Sequence, residues 1–123
     1  MKYKYTTKEA KKFSKHGIDL INYGLNFPAL NIVHIHLDEG HYQEFYDTKS
    51  TIFYYIIKGK GLFVLNDERI SVMMNDIIVI PINTRIYYFG RMDMLRVTSP
   101  AFDAKNERHI RLVEKEENPY LKL

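Results

Sequence analysis

Thr51–Asn66 reads TIFYYIIKGKGLFVLN, and the reading of this stretch decides the fold. Its first half, Ile52-Phe53-Tyr54-Tyr55-Ile56-Ile57, is rich in β-branched and aromatic residues. Such a run suits a pleated surface covered on both faces better than a one-sided amphipathic helix. A second apolar run, Leu62-Phe63-Val64-Leu65, follows after only Lys58-Gly59-Lys60-Gly61. Two glycines alternating with lysines permit backbone angles that side chains forbid, which marks a bend or bulge. The combination predicts a two-sided strand turning a corner in a barrel or sandwich.

The same grammar extends outward. Asn31–Asp38 alternates, with Val33, Ile35 and Leu37 on one face and Ile32, His34, His36 and Asp38 on the other. Ile18–Ile21 reads as a short strand, as do Ile70–Met73, Ile86–Phe89 and Leu95–Thr98, while Ile77–Ile80 reads as a short buried strand closed by Pro81. His109–Val113 reads as a final edge strand. Thr6-Thr7-Lys8-Glu9 has the form of a capping box and predicts a short helix to about His16, with Ala10 and Phe13 inward and Gly17 as its stop. Eight or nine short strands with turn signals between them describe an all-β chain, a small antiparallel jelly-roll β-barrel. The expected layout is one domain over 1–123: an N-terminal helix at 1–17, a barrel core at about 31–102, and a C-terminal strand and tail at 103–123.

Composition narrows the function. A chain of 123 residues supports one core and not two. Ten Tyr and no Trp leave many phenols in need of partners. No apolar run approaches the roughly 20 residues of a membrane span, and the N-terminus has no apolar signal-peptide core. With no Cys there is no thiol nucleophile, thiolate ligand or disulfide, which fits a cytoplasmic location. The net charge of +3 is concentrated at the start, where residues 1–16 hold six Lys against one Glu. The remainder is slightly acidic, so no basic face for nucleic acid is expected, and no membrane partner either.

The spacing resembles the cupin superfamily, small barrels carrying two sequence motifs. The first runs from Gly through His-x-His and Glu to a second Gly; here Gly40, Tyr46, Thr48, Ile52 and Gly59 stand at those separations. The second runs from Gly through Pro-x-Gly and His to Asn; here Asn75, Pro81, Asn83, Ile86 and Gly90 stand there. The resemblance covers about Asn31 to Phe102 and implies the barrel fold. In metal-bearing cupins the two His, the Glu and the later His hold an ion. Isoleucine has no lone pair to offer, and Tyr and Thr hydroxyls are poor ligands for a divalent transition metal. The usual metal site is therefore emptied, and no cofactor is expected.

His34-Ile35-His36 is a literal His-x-His, yet no Glu follows at the motif's interval, and the apolar set on the opposite face is the one expected to be buried. A displaced metal site built from His34, His36, His41 and Glu44 is a second possibility; His16 and His109 read as surface residues. If the motif positions face inward, Tyr46, Thr48, Tyr54 and Tyr88 line the cup, with Arg96 able to pair with a carboxylate or phosphate and Glu44 at the mouth. Such a lining suits a small polar metabolite, a sugar or sugar derivative. The resemblance also includes metal-free sugar-nucleotide epimerases and isomerases, which makes His41 the candidate base and Tyr46, Tyr54 or Tyr88 the candidate acid. Three readings stand at this point: a metal-free binding protein, a metal-free isomerase or epimerase, and a metal enzyme with displaced ligands. The surplus apolar side chains on the outer face of the central strand predict a homodimer.

Overall fold

The computed structural model describes residues 2–121, which form nine strands. They are β1 (Lys11–Lys15), β2 (Ile18–Asn22), β3 (Asn31–Leu37), β4 (Gly40–Asp47), β5 (Thr51–Leu65), β6 (Glu68–Met73), β7 (Ile77–Ile80), β8 (Ile86–Ser99) and β9 (Glu107–Leu112). The bend at Lys58–Gly61 does not end a strand: β5 runs through it. Ile86–Phe89 and Leu95–Thr98, separate in the sequence reading, are likewise one strand, β8.

These two long strands organise the barrel. They pair along their whole length, from Thr51 opposite Ser99 to Leu65 opposite Ile86. On its other edge β8 pairs first with β4 and then with β3; β5 pairs with β7 and then with β6. Each long strand thus serves both halves of a curled antiparallel sheet. The curl is local. The β5–β8 register slips between Ile56 and Lys58, and Gly59 takes φ 88°. A Cβ on Gly59 would lie 2.0 Å from the Arg91 carbonyl oxygen, so only glycine fits.

The slip also changes which residues point inward. Ile52, Tyr54 and Ile56 face the core before it and Phe63 after it, while Ile86, Tyr88, Met92 and Met94 hold one parity along β8. Val33, Ile35 and Leu37 of β3 and Ile18 and Leu20 of β2 complete a single cluster. Each such buried side chain contributes roughly 1.5–3 kcal/mol through removal from water.

Three expectations are corrected. Among the described residues there is no N-terminal helix. Thr6–Ala10 makes a turn, with the Glu9 amide donating to the Thr6 carbonyl at 3.2 Å and the Thr6 hydroxyl to the Glu9 carboxylate at 3.1 Å. The chain then extends as β1, whose backbone groups pair with β2, and Phe13 is exposed. A helix of about ten residues with little apolar face has a costly nucleus, and a waiting sheet edge wins. The second correction concerns β7, which is not buried: it has one neighbour, β5, and Ile77 and Val79 stand 62% and 56% exposed.

The third concerns β4, whose inward residues are His41, Gln43, Phe45 and Asp47, so Tyr46 faces out. Alternation cannot be carried across the turn after it, where Asp47 Oδ1 accepts from the amides of Lys49 and Ser50 at 2.8 Å.

Outside the barrel the two halves differ. Leu62, Val64 and Phe89 on one half are covered by Val113 of the C-terminal segment, with Tyr42 and Tyr87 packed against them. The other half leaves Tyr55, Ile57, Ile77 and Val79 open. The two C-terminal residues of the predicted tail lie outside the described residues.

Candidate functional site

Inside the barrel the aromatic side chains form one stack. The His41 ring lies over Tyr88 with centroids 5.2 Å apart and planes at 20°, and Tyr88 stacks in turn on Phe63 at 4.9 Å and 27°. Tyr54 meets Tyr88 at 5.6 Å and Phe63 at 5.0 Å, and Phe45 closes on His41 at 5.1 Å. Three strands hold this group: β4 carries His41, β5 carries Tyr54 and Phe63, and β8 carries Tyr88. The pairing of His41 with Tyr88 across β4 and β8 sets the first contact.

The chemistry of His41 follows from its surroundings. Its Nδ1 lies 2.8 Å from the backbone carbonyl of Gln43. A carbonyl can only accept, so Nδ1 carries the proton and Nε2 holds the lone pair. Burial pushes the imidazole down to about 3, partly opposed by that hydrogen bond, so the ring is neutral at physiological pH. Burial raises the Tyr54 phenol, with the Arg96 charge acting against it; burial and the neighbouring Tyr54 raise Tyr88 well above the ordinary value. Both phenols therefore stay protonated as donors. The site is a neutral base facing two neutral acids.

Two buried polar atoms here have no partner: the Tyr54 hydroxyl and Arg96 Nε. Leaving such groups unpaired costs about 1–3 kcal/mol each, more for a charge, so their presence at one site points to a ligand. Arg96 sits opposite Tyr54 in the β5–β8 ladder, and its guanidinium carbon lies 5.6 Å from the Phe102 ring centroid. At the open end the His16 ring contacts His41 edge-on at 5.7 Å, and His109 follows at 6.3 Å from His16. Lys15 lies 6.0 Å from the same Phe102 ring.

The structure thus brings together His41, Tyr54, Tyr88 and Arg96. It separates the other candidates. Tyr46 faces outward from β4. Thr48 is half-buried and donates to the Asn106 carbonyl at 2.9 Å. Glu44 is buried on the outer side, bound by Arg85 at 3.2 Å and Arg111 at 3.1 Å. His34 and His36 face outward from β3 and share Asp93, at 3.5 Å and 3.1 Å. With His41 in the barrel and Glu44 in its arginine pair, the displaced metal set does not converge.

Among the described residues no three His, Asp or Glu come together as a metal site. The inward donor set is one imidazole, two phenols and a guanidinium, which does not fit a divalent cation. Sequence reasoning missed Gln43, Phe63, Phe102 and Lys15. Gln43 lies two positions from His41 on β4, whereas Phe63 is of opposite parity to Ile52, Tyr54 and Ile56 and turns inward only because the register slips between Ile56 and Lys58; Phe102 and Lys15 come from segments that carry no local signal.

No protein-family model and no curated protein matches the sequence. Solved structures do. Pac13, a nucleoside dehydratase, is 44% identical over 98% of this chain and 100% of its own, with a TM-score of 0.96. Three further forms of the Streptomyces protein, one with a His→Gln and two with a Tyr→Phe substitution, were solved with uridine at 43% identity and a TM-score of 0.96. More distant barrels share the fold: an RmlC-like cupin from Shewanella frigidimarina (14% identity, 85% of this chain and 96% of its own, TM-score 0.71) and KdgF from Halomonas sp. (17%, 85% and 99%, 0.73). The barrel, its aromatic interior and this likeness together show that the chain has the cupin fold and belongs to the family of the nucleoside dehydratase Pac13.

Proposed function

We propose that this protein is a nucleoside dehydratase that binds a uridine-type nucleoside in the barrel and eliminates water from its sugar. The observation that carries this reading is the buried His41–Tyr88–Tyr54 group. The His and the two Tyr substituted in the uridine-holding forms of the relative are spaced as His41, Tyr54 and Tyr88 are in this chain. A nucleoside contains a sugar, so the polar metabolite expected from the lining is kept as part of a larger ligand. Its base gives the aromatic walls a flat partner.

Dehydration takes a proton from one sugar carbon and a hydroxyl from the next. His41 Nε2 accepts the proton as negative charge builds beside the ring, because a neighbouring anion favours the imidazolium. The electron pair of the C–H bond forms the new double bond as the C–O bond breaks. Tyr54, whose hydroxyl has no other partner, donates its proton to the departing oxygen, which leaves as water. The imidazolium then returns its proton to the phenolate, and both residues are restored. Tyr88 stacks on His41 and holds its ring in place. An isomerase would share the first proton transfer but return the proton to carbon.

The test is to incubate the protein with uridine and uridine derivatives altered at the sugar, and to follow mass. A product lighter by one water is expected from at least one of them. Its rate should fall by about 10²–10⁴ in His41→Gln. Isomerised products of unchanged mass, or full turnover in His41→Gln, would overturn the reading. The proposal includes a second copy of the chain over the open outer face of Tyr55, Ile57, Ile77 and Val79.

A further inference from the structure

The β4 strand departs from its ladder at the residues that hold His41. His41 pairs with Tyr88 and Phe45 with Ile86, so Tyr42, Gln43 and Glu44 stand against Tyr87 alone. On the other edge β9 slips at the same place, with Ile110 spare between Arg111 opposite Glu44 and His109 opposite Phe45. Bulges of this kind interrupt ladder bonds and re-aim side chains, and they recur beside active sites. Here the interruption leaves the Gln43 carbonyl to accept from His41 Nδ1 at 2.8 Å, the contact that keeps the lone pair on Nε2. A segment slipped against both neighbours needs another tie to keep that carbonyl in place.

Glu44 supplies the tie. It follows Gln43 in the bulge and is 2% exposed. Its Oε2 accepts from Arg85 at 3.2 Å and its Oε1 from Arg111 at 3.1 Å. Arg85 stands just before β8 and Arg111 lies on β9, so one carboxylate bridges the strands on both sides of the bulge. Each arginine is braced in turn, Arg85 by Asp67 at 2.8 Å and Arg111 by Glu117 at 3.0 Å. The Arg111 guanidinium also lies 5.3 Å from the ring centroid of Tyr87, the β8 residue that faces the bulge. Buried ion pairs add little net stability over apolar packing, and fixing a register is the role they suit. We infer that Glu44, with Arg85 and Arg111, is a positioning device for the reaction. From outside the barrel it sets the bulge that keeps His41 protonated at Nδ1, with Nε2 open to take the substrate proton. That last role rests on the dehydratase reading above; the hold on the ring does not.

Nitrogen-15 spectra of the full chain labelled at histidine read the hold directly, with the His41 signals assigned by their loss in His41→Gln. In the native protein Nδ1 is expected at the shift of a protonated ring nitrogen and Nε2 at that of an unprotonated one. In Glu44→Gln, which keeps the shape and removes the charge, the two shifts should converge as the tautomers mix. Turnover of whichever uridine derivative loses water should then fall about tenfold in kcat with KM changed less than about threefold, the pattern of a misaimed base. Arg111→Gln leaves Arg85 on Glu44, should move both readouts in the same direction, and carries the test where Glu44→Gln fails to fold. Unmoved His41 shifts in a folded Glu44→Gln or Arg111→Gln protein would overturn the inference whatever the substrate. Converged shifts with kcat unchanged would overturn the role in the reaction. Should no uridine derivative lose water, the dehydratase reading falls, while the nitrogen shifts still decide the hold on His41.

Discussion

Tyr54 and Tyr55 are adjacent on β5 and chemically identical, yet they live in different worlds. Tyr54 is wholly buried among Tyr88 and Phe63, with its hydroxyl unpaired. Tyr55 is exposed beside Ile57, Ile77 and Val79, with its hydroxyl donating to Asn75 Oδ1 at 2.9 Å. The inner face carries unsatisfied polar groups in an apolar enclosure, which is unfavourable for stability and useful for chemistry. The outer face carries satisfied polar groups among exposed apolar ones, which suits association. One strand therefore separates a reacting surface from a contacting surface by the pleat alone.

Substitutions on the two faces should separate accordingly. The largest contrast is in packing. Phe63→Ala is expected to cost about 3–5 kcal/mol in denaturant unfolding, whereas Ile77→Ala should change stability by less than about 0.5 kcal/mol. Equal losses would erase the distinction.

Next comes pH. The His41 imidazole sits at about 3 in the folded chain against an ordinary 6.5. Its contribution to stability is present above 6.5 and is lost as pH falls from there toward 3, because only the unfolded chain readily takes the proton. Relative to His41→Gln, the native protein should lose on the order of 4 kcal/mol across that window. Matching acid profiles for the native protein and His41→Gln would contradict the burial of this ring.

A smaller effect distinguishes the two tyrosines themselves. Tyr54→Phe removes an unpaired buried hydroxyl and is expected to stabilise by about 1 kcal/mol while lowering turnover roughly 10²-fold or more. Tyr55→Phe should leave both nearly unchanged. The smallest effect on stability is expected from Val79→Lys. It should alter the fold by under about 0.5 kcal/mol yet convert a dimer to a monomer in light scattering at micromolar concentration. A monomeric native protein would leave the outer face without its proposed partner.

Much of this contrast was legible in the residues. The double apolar run with its glycine corner marks β5, and period-two alternation places Tyr54, Tyr88 and Arg96 on inward faces. The alternation fails at Tyr46 and Thr48 because the Asp47–Ser50 turn breaks its parity between β4 and β5. A capping box at Thr6–Glu9 forms its turn but cannot outcompete the free edge of β2. His16 reads as a surface residue and is exposed, yet its ring touches His41, because the β1–β2 turn is pinned by the Tyr42 amide donating to the His16 carbonyl at 2.8 Å. Lys15 and Phe102 meet only through closure of the barrel, and a separation of that length leaves no local pattern.

The central claim is that the inner face of β5 and β8 holds the nucleoside. The position of uridine in a crystal of this chain tests it most directly. The expected result is uridine inside the barrel, its sugar within hydrogen-bonding distance of His41 Nε2 and the Tyr54 hydroxyl. A barrel left empty at saturating uridine, or uridine seated on the outer face, would contradict it.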